Sequence, residues 1–315
     1  MVPNPGMQNQ PLVSIITINY NQAGITCEML GSLFQITYKN IEVIVVDNGS
    51  REDSPKIIKE KFPRILFIQS PENLGFAGGN NLGITQSHGK YILLLNNDTV
   101  VTQGFLEPLV NKMESDPTIG AVSPKIRFFF NPDTIQYAGL TPINPYTMRS
   151  RAIGFSEKDE GQYEKDAVTA YAHGAAMMFS KEAVQKIGLM STSFFLYYEE
   201  LDWGFRLRKA GYKIYYVHNS LIFHKESMTT GKISPLKTYY INRSRLLYMR
   251  RNVHGFRFLI SILFQSFIAV PKNAAKYLVQ GKTNLFKAYH NAICWHLKNM
   301  FNKKLHQHPF LNPDT

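Results

Sequence analysis

Four short runs of residues that favour burial punctuate the first hundred positions: LVSIITI at residues 12–18, IEVIVVD at 41–47, ILFIQ at 65–69 and YILLLN at 91–96. Their near-continuous apolar character, rich in Ile and Val, is that of parallel strands covered on both faces. Helical stretches lie between and after them, at residues 24–36, 53–61, 77–87 and 104–115. Such alternation predicts an α/β fold, with an open, mostly parallel sheet, flanking helices and right-handed crossovers. Over residues 120–166 the pattern loosens, because Pro124, Pro132, Pro142 and Pro145 interrupt any long element. Irregular strands and a mobile loop bordering a cleft are expected there. Order returns at HGAAMMFSKEAVQKIG, which reads as a buried strand at 175–179, Ser180 as N-cap, a short helix and Gly188 as its stop. The segment FFLYYEELDWGFRLRKAGYKIYYVHNSLIFH then predicts a helix closed by Gly211 and a strand pair ending at His224.

Charge divides the chain. From residue 231 to 315 there are 14 Lys and Arg against one acid, Asp314, whereas the first 230 residues hold 21 basic and 22 acidic side chains. A near-neutral domain over residues 1–230 is therefore expected to precede a basic, helical segment over 231–315. Within that segment the apolar run FLISILFQSFIAV has 13 residues, short of the roughly 20 that span a bilayer. Flanked by Arg250, Arg251, Arg257 and Lys272, it reads as a helix lying in a membrane interface. The alternative is a core helix packed on the first domain. The basic residues are interleaved with long aliphatic runs and no nucleic-acid module is recognisable, so nucleic acid is not expected as a partner. Cys27 and Cys294 have no metal-like spacing and make no disulfide framework, which points to a reducing cytoplasm. The opening MVPNPGMQNQPLV shows no secretory pattern. The expected location is cytoplasmic, peripheral at the inner face of the plasma membrane.

Ligands of open α/β sheets bind beyond the carboxyl ends of the strands. The four exits carry Asn19-Tyr20-Asn21, Asp47-Asn48-Gly49-Ser50, SPENLGFAGGNN and Asn96-Asn97-Asp98. One such exit is ordinary turn chemistry; four on one sheet edge point to a site. Asp98 could be a ligand for Mg2+ or Mn2+, which take hard oxygen donors, or it could close a turn or cap the next helix. In YYEELDWGFRLRKAG, Asp202 and Arg206 are spaced as an ordinary surface pair, and Gly204 in mid-helix, costing about 1 kcal/mol relative to alanine, implies a close neighbour. Glu200, beside that glycine gap and two tyrosines, is a candidate general base; the alternative is that it and Glu199 serve only the helix dipole. His224 could be a packed residue or a ligand returned to the Asp98 edge. The glycines of NLGFAGGNNLGI follow the third strand, not the first, in the wrong spacing for a dinucleotide fingerprint, which excludes the corresponding oxidoreductases.

The ordered set VSIITINYN, VIVVDNGS, NLGFAGGNNLGI, LLLNNDT, GAAMMFSKEAVQKIG and FFLYYEELDWGFRLRKAGYKIYYVHNSLIFH resembles the family 2 glycosyltransferases of GT-A-type fold. Within them it is most similar to the rhamnosyltransferase-like branch that builds bacterial surface polysaccharides. The resemblance covers residues 12–224. It implies an inverting, metal-dependent transfer from a nucleotide sugar, dTDP-rhamnose first and a UDP-hexose next, to a glycan or lipid-linked glycan acceptor. It further implies that Thr17, Asn19 and Tyr20 line the base and ribose pocket and that Asp47 holds base or ribose. Asn73 and Asn80 would come from a loop closing over the nucleotide, with Asn97 beside them. Asp98 matches the last carboxylate of the Asp-x-Asp metal motif, Glu200 the catalytic base, and His224 a histidine that completes the metal site in some members. Two positions depart from the pattern: Asn96 stands where many members have the first aspartate, and Glu200 is one methylene longer than the commoner aspartate. A catalytically silent nucleotide-sugar-binding subunit is the alternative.

Overall fold

The computed structural model describes residues 10–51, 54–226 and 233–306. The expected division at 230/231 and the first residue of the helix expected at 53–61 fall outside them. The four apolar runs form strands β1 (Val13–Asn19), β2 (Ile41–Asn48), β3 (Leu66–Ser70) and β4 (Tyr91–Leu95). They pair in parallel in the order β3-β2-β1-β4. Helices α1 (Ala23–Leu33), α2 (Ser54–Lys61), α3 (Gly75–Thr85) and α4 (Leu106–Ser115) provide the connections, with the short strand β5 (Thr99–Val101) before α4. One face of the sheet buries Met29, Leu30, Leu33, Leu109 and Met113 of α1 and α4. The other buries Ala77 and Ile84 of α3 with Trp203 and Leu207 further along the chain. Both faces of the inner strands are covered, which is why β1, β2 and β4 are mostly apolar, whereas β3, at the edge, leaves Leu66 and Gln69 exposed.

Beyond β4 the sheet continues through β6 (Ile119–Phe128), β9 (Ala176–Ser180) and β10 (Lys213–His224), in the order β4-β9-β6-β10-β5, with β7 (Asn131–Tyr137) and β8 (Ala167–Val168) at its margins. The stretch expected to be loose thus begins with a ten-residue strand, buried over its first eight positions. Pro124 and Lys125 disguise it. Lys125 is buried because its ammonium pairs with Asp159 and Glu164, and Arg127 pairs with the same Asp159. These pairs and the bridges Leu140 to Ala152 and Asn144 to Arg149 tie the following residues down. The expected strand pair ending at His224 is a single strand. Its register against β6 jumps between Val217 and Leu221, opposite Pro124 and Lys125, where proline has no N–H to offer the ladder.

Helix α5 (Lys181–Ile187) is capped by Ser180, whose hydroxyl accepts from the Ala183 N–H, and stops at Gly188, φ 75°. Helix α6 (Glu199–Lys209) is followed by Gly211 at φ 94°. A Cβ at Gly204 would lie 3.0 Å from the Tyr171 ring, the close neighbour its mid-helix position implied. The Asp202–Arg206 pair is not on the surface. Asp202 is fully buried, because α7 (Pro235–Asn252) crosses α6 and brings Arg251 and Asn252 onto the same carboxylate.

The 13-residue run belongs to a longer element than its length suggested. Helix α8 (Gly255–Phe264), a π turn (Gln265–Ala269) and α9 (Val270–Val279) form one continuous 25-residue helix, long and apolar enough to cross a membrane and only 11% buried over its most apolar window. Pro271 lies inside this helix, directly after the π turn, the irregularity that accommodates its missing N–H. Helix α10 (Thr283–Lys298) returns along α7.

Candidate functional site

Topology decides what meets at the sheet edge. β6 and β10 run in the sense of β4, and β9 runs against it. The start of β9 (His173, Gly174, Ala175) and the end of β10 (His224) therefore lie at the same edge as the exits of β1 to β4. β5 then pairs antiparallel with β10, Thr99 opposite His224, so the residue before β5, Asp98, stands beside that histidine. A cavity of about 460 Å3 opens here. Asp98, Glu200 and His224 all line it, together with Tyr20, Asn73, Asn80 and Asn97.

Thr17, Asn19 and Asp47 do not line the cavity; all three are buried beneath it. Asn19 donates to Asp47 Oδ1 at 2.8 Å and accepts from the Thr26 hydroxyl at 2.8 Å, while Ser50 donates to Asp47 through both its hydroxyl and its N–H. This network stiffens the first two strand exits from behind. Thr17 Oγ1 finds no partner there. Asn97 donates to Thr26 Oγ1 at 3.0 Å, linking the fourth exit to the same support. In the third exit Asn48 spans the loop, donating to Gly75 O at 3.0 Å and accepting from Leu74 N at 3.0 Å. Gly75 is required here: its φ is 70°, and a Cβ would approach Phe195 O to 2.2 Å.

Asp98 neither caps α4 nor merely ends a turn. The N-cap of α4 is Phe105, and the Asp98 carboxylate faces His224, with Oδ1 3.1 Å from Nε2. The other ring nitrogen, Nδ1, lies 2.8 Å from Gln136 Oε1. Both neighbours accept, so a ring protonated on Nδ1 alone turns its Nε2 lone pair towards Asp98, whereas an imidazolium donates to both. In the first of these states the two facing acceptors suit a cation held between them. Donors about 2.1 Å from an octahedral ion stand about 3.0 Å apart along an edge, so the pair fits Mg2+ or Mn2+. Among the described residues no group of three or more His, Cys, Asp or Glu could hold a metal; the remaining ligands would be substrate oxygens and water.

Helix α6 begins at the same cavity with Glu199 and Glu200. The two residues before it, Tyr197 and Tyr198, have φ of 66° and 74°, a left-handed pair that non-glycine residues seldom adopt. Helix α7 holds this turn: Ser244 donates to Leu196 O at 2.9 Å, Arg245 Nε donates to the Tyr198 hydroxyl at 3.1 Å, and Tyr240 stacks on Phe195. Glu200 is partly exposed on the cavity wall, yet its Oε2 is shielded from solvent and has no partner. Burial pushes its pKa up to about 6, against the pull of the N–H groups of Glu200, Leu201 and Tyr198.

Sequence reasoning missed Gln136, His173, Glu199 and the α7 residues Leu236 and Lys237, all of which line the cavity. The HG of HGAAMMF was the available signal for His173, because an antiparallel strand presents its start at this edge. Burial and the neighbouring His224 push the His173 pKa down to about 3. The Gln136 position carried no signal, since β7 lies inside the stretch broken by prolines.

A model of the family "Glycosyl transferase family 2" matches residues 14–188. An uncharacterised glycosyltransferase of Rickettsia prowazekii is 28% identical over 240 residues, 73% of this chain and 69% of its own length. The N-acetylglucosaminyl-diphospho-decaprenol L-rhamnosyltransferase of Mycobacterium tuberculosis is 23% identical over 252 residues, 70% of this chain and 78% of its own. The mannosyltransferase PcManGT of Pyrobaculum calidifontis, solved with GDP-Man and Mn2+, superposes with a TM-score of 0.55 at 16% identity, covering 94% of this chain and 89% of that one. The fold is of GT-A type.

Proposed function

This chain belongs to glycosyltransferase family 2, and from that membership we propose that it inverts the anomeric centre of a nucleotide-activated sugar while moving it to an acceptor hydroxyl in the assembly of a cell-surface glycan. The observation that carries the reading is the convergence of Asp98, His224 and Glu200 on one cavity. The donor's nucleotide would lie along the exits of β1 to β4, between Tyr20, Asn73 and Asn80. Asp98 and His224 would hold a divalent ion, which supplies countercharge for the diphosphate that departs. Glu200 accepts the acceptor's hydroxyl proton on Oε2 as that oxygen bonds to the anomeric carbon and the carbon–diphosphate bond breaks. Attack from the side away from the diphosphate inverts the centre. The rhamnosyl chemistry of the mycobacterial relative makes dTDP-rhamnose the first donor to test and a UDP-hexose the second. A panel of dTDP-, UDP- and GDP-sugars with Mn2+, read by thermal stabilisation and then by transfer, tests the reading. Unimpaired transfer in chelator, or by Asp98→Ala, would overturn the metal assignment.

Gln136 gives a graded test of the same assignment. Gln136→Leu removes the acceptor that orients His224 and is expected to weaken Mn2+ activation by about 10- to 100-fold. A titration of transfer rate against Mn2+ measures it, and an unshifted curve would count against His224 as a ligand.

Residues 231–315 are proposed as the membrane-facing segment. The long helix is held to the protein on one side, where Ser261 donates to Pro145 O and Gln265 donates to Thr147 O. Its other side leaves Phe256 and Phe267 74% exposed, next to Arg257 and Lys272 in an acid-free sequence. An apolar stripe flanked by cations suits the surface of anionic lipid, with the helix lying in the interface. Phe267→Asp is expected to reduce partitioning onto phosphatidylglycerol vesicles by about 10-fold, measured by co-sedimentation; unchanged sedimentation would remove this face as the contact.

A further inference from the structure

Glu199 takes no part in the transfer described above, yet its side chain is only 4% exposed, it lines the cavity, and its Oε2 has no hydrogen-bond partner. A buried carboxyl oxygen left unpaired costs about 1–3 kcal/mol, so its position in a native site asks for a ligand. The chemistry of the neighbourhood narrows the ligand. Glu200 Oε2, a second shielded oxygen without a partner, lies on the next residue of the same helix. Ionisation of Glu200 disfavours that of Glu199. Burial and the Glu200 charge hold the Glu199 pKa well above the usual carboxylate range. A protonated Glu199 carboxyl offers both an O–H donor and a carbonyl acceptor. An anionic diphosphate would be repelled by its charged neighbour, and that group has its own place at the Asp98–His224 end. What matches a donor and an acceptor side by side next to a carboxylate is a neutral sugar hydroxyl.

We propose that Glu199 is a specificity residue whose carboxyl group hydrogen-bonds a hydroxyl of the sugar being transferred. The proposal rests on the glycosyl-transfer reading of this cavity and adds to it the group that recognises the sugar rather than the nucleotide. The left-handed turn at Tyr197 and Tyr198 then has a second purpose, since it aims both carboxyl groups into the cavity from the first turn of one helix.

Calorimetric titration with Mn2+ tests this, using the nucleotide sugar that stabilises the protein most among dTDP-, UDP- and GDP-sugars, and its bare nucleoside diphosphate. Glu199→Ala is expected to weaken the nucleotide sugar by about 10- to 100-fold and to leave the bare diphosphate unchanged. Glu199→Gln, whose amide keeps a donor and an acceptor in the same place, is expected to stay within about 3-fold of the parent for both. Equal losses for both ligands, a glutamine variant as impaired as alanine, or loss of transfer with nucleotide-sugar affinity intact would each overturn the proposal. Glu200→Gln is the parallel control. If it transfers normally while Glu199→Ala still loses sugar affinity, the base assignment fails and the recognition role stands.

Discussion

Replacing Glu200 with glutamine is expected to lower transfer by about 10³-fold, within the range that a positioned general base contributes, and to leave nucleotide-sugar affinity unchanged. The amide has the shape of the carboxyl group, so the cavity wall and the first turn of α6 remain as they are. It cannot accept the proton that an acceptor hydroxyl must lose as it attacks. Because Glu200 must be ionised to act, and burial raises its pKa to about 6, the parent's kcat/KM should fall as pH drops below about 6 rather than in the mid-fours. The glutamine variant should lose that acidic limb. Glu200→Asp shortens the reach by one methylene and is expected to fall between the two. Steady-state transfer from the donor chosen by the panel, measured from pH 5 to 8, reads all three. Normal transfer by Glu200→Gln would move the base elsewhere in the cavity; donor binding without transfer by the parent itself would favour a silent binding subunit.

The most legible strands are the inner ones, whose two faces are both covered. β1, β2 and β4 announce themselves as runs rich in Ile, Val and Leu, and the edge strand β3 by its shorter LFI run. β6 is as deeply buried but was not legible, because Lys125 carries an ammonium into the core and needs Asp159 and Glu164, 34 and 39 positions away, to be tolerated there. Nothing local records such a partnership. The same limit explains the Asp202–Arg206 pair: spacing shows that the two side chains can meet, but their burial is set by Arg251 and Asn252 on a helix about 50 positions later. The site was legible to the extent that its ligands sit at strand ends. Asp98 could be nominated from its position and His224 from the family resemblance, yet their meeting depends on the β5–β10 register, which no periodicity reports. Thr17, Asn19 and Asp47 show the converse. Polar residues at a strand exit can face the ligand or brace the loop beneath it, and only packing tells the two apart.

Asp202→Ala is expected to cost about 3–5 kcal/mol of stability, the usual consequence of breaking a buried ion pair from one side. Its carboxylate accepts from Arg206 Nε at 3.1 Å, from Arg251 Nε at 3.3 Å and from Asn252 Nδ2 at 2.9 Å. Removing it leaves two guanidinium groups facing each other in a region closed to water. For a chain of this size the loss corresponds to a fall of about 5–8 °C in the thermal midpoint. The double change Asp202→Leu with Arg251→Met should recover part of it, because one guanidinium group is removed with the carboxylate while Arg206 keeps its carbonyl acceptors at Ile187 and Leu189. The functional consequence follows from where this cluster lies. It fastens α6, whose first turn carries Glu199 and Glu200, to α7, which also grips the turn at Tyr197 and Tyr198 and brings Leu236 and Lys237 to the cavity. The two variants therefore separate stability from positioning. If the rescued double variant regains part of the lost midpoint but transfers more slowly at unchanged donor affinity, the cluster aims α6; if transfer returns with the midpoint, its role is confined to holding the basic segment against the catalytic core.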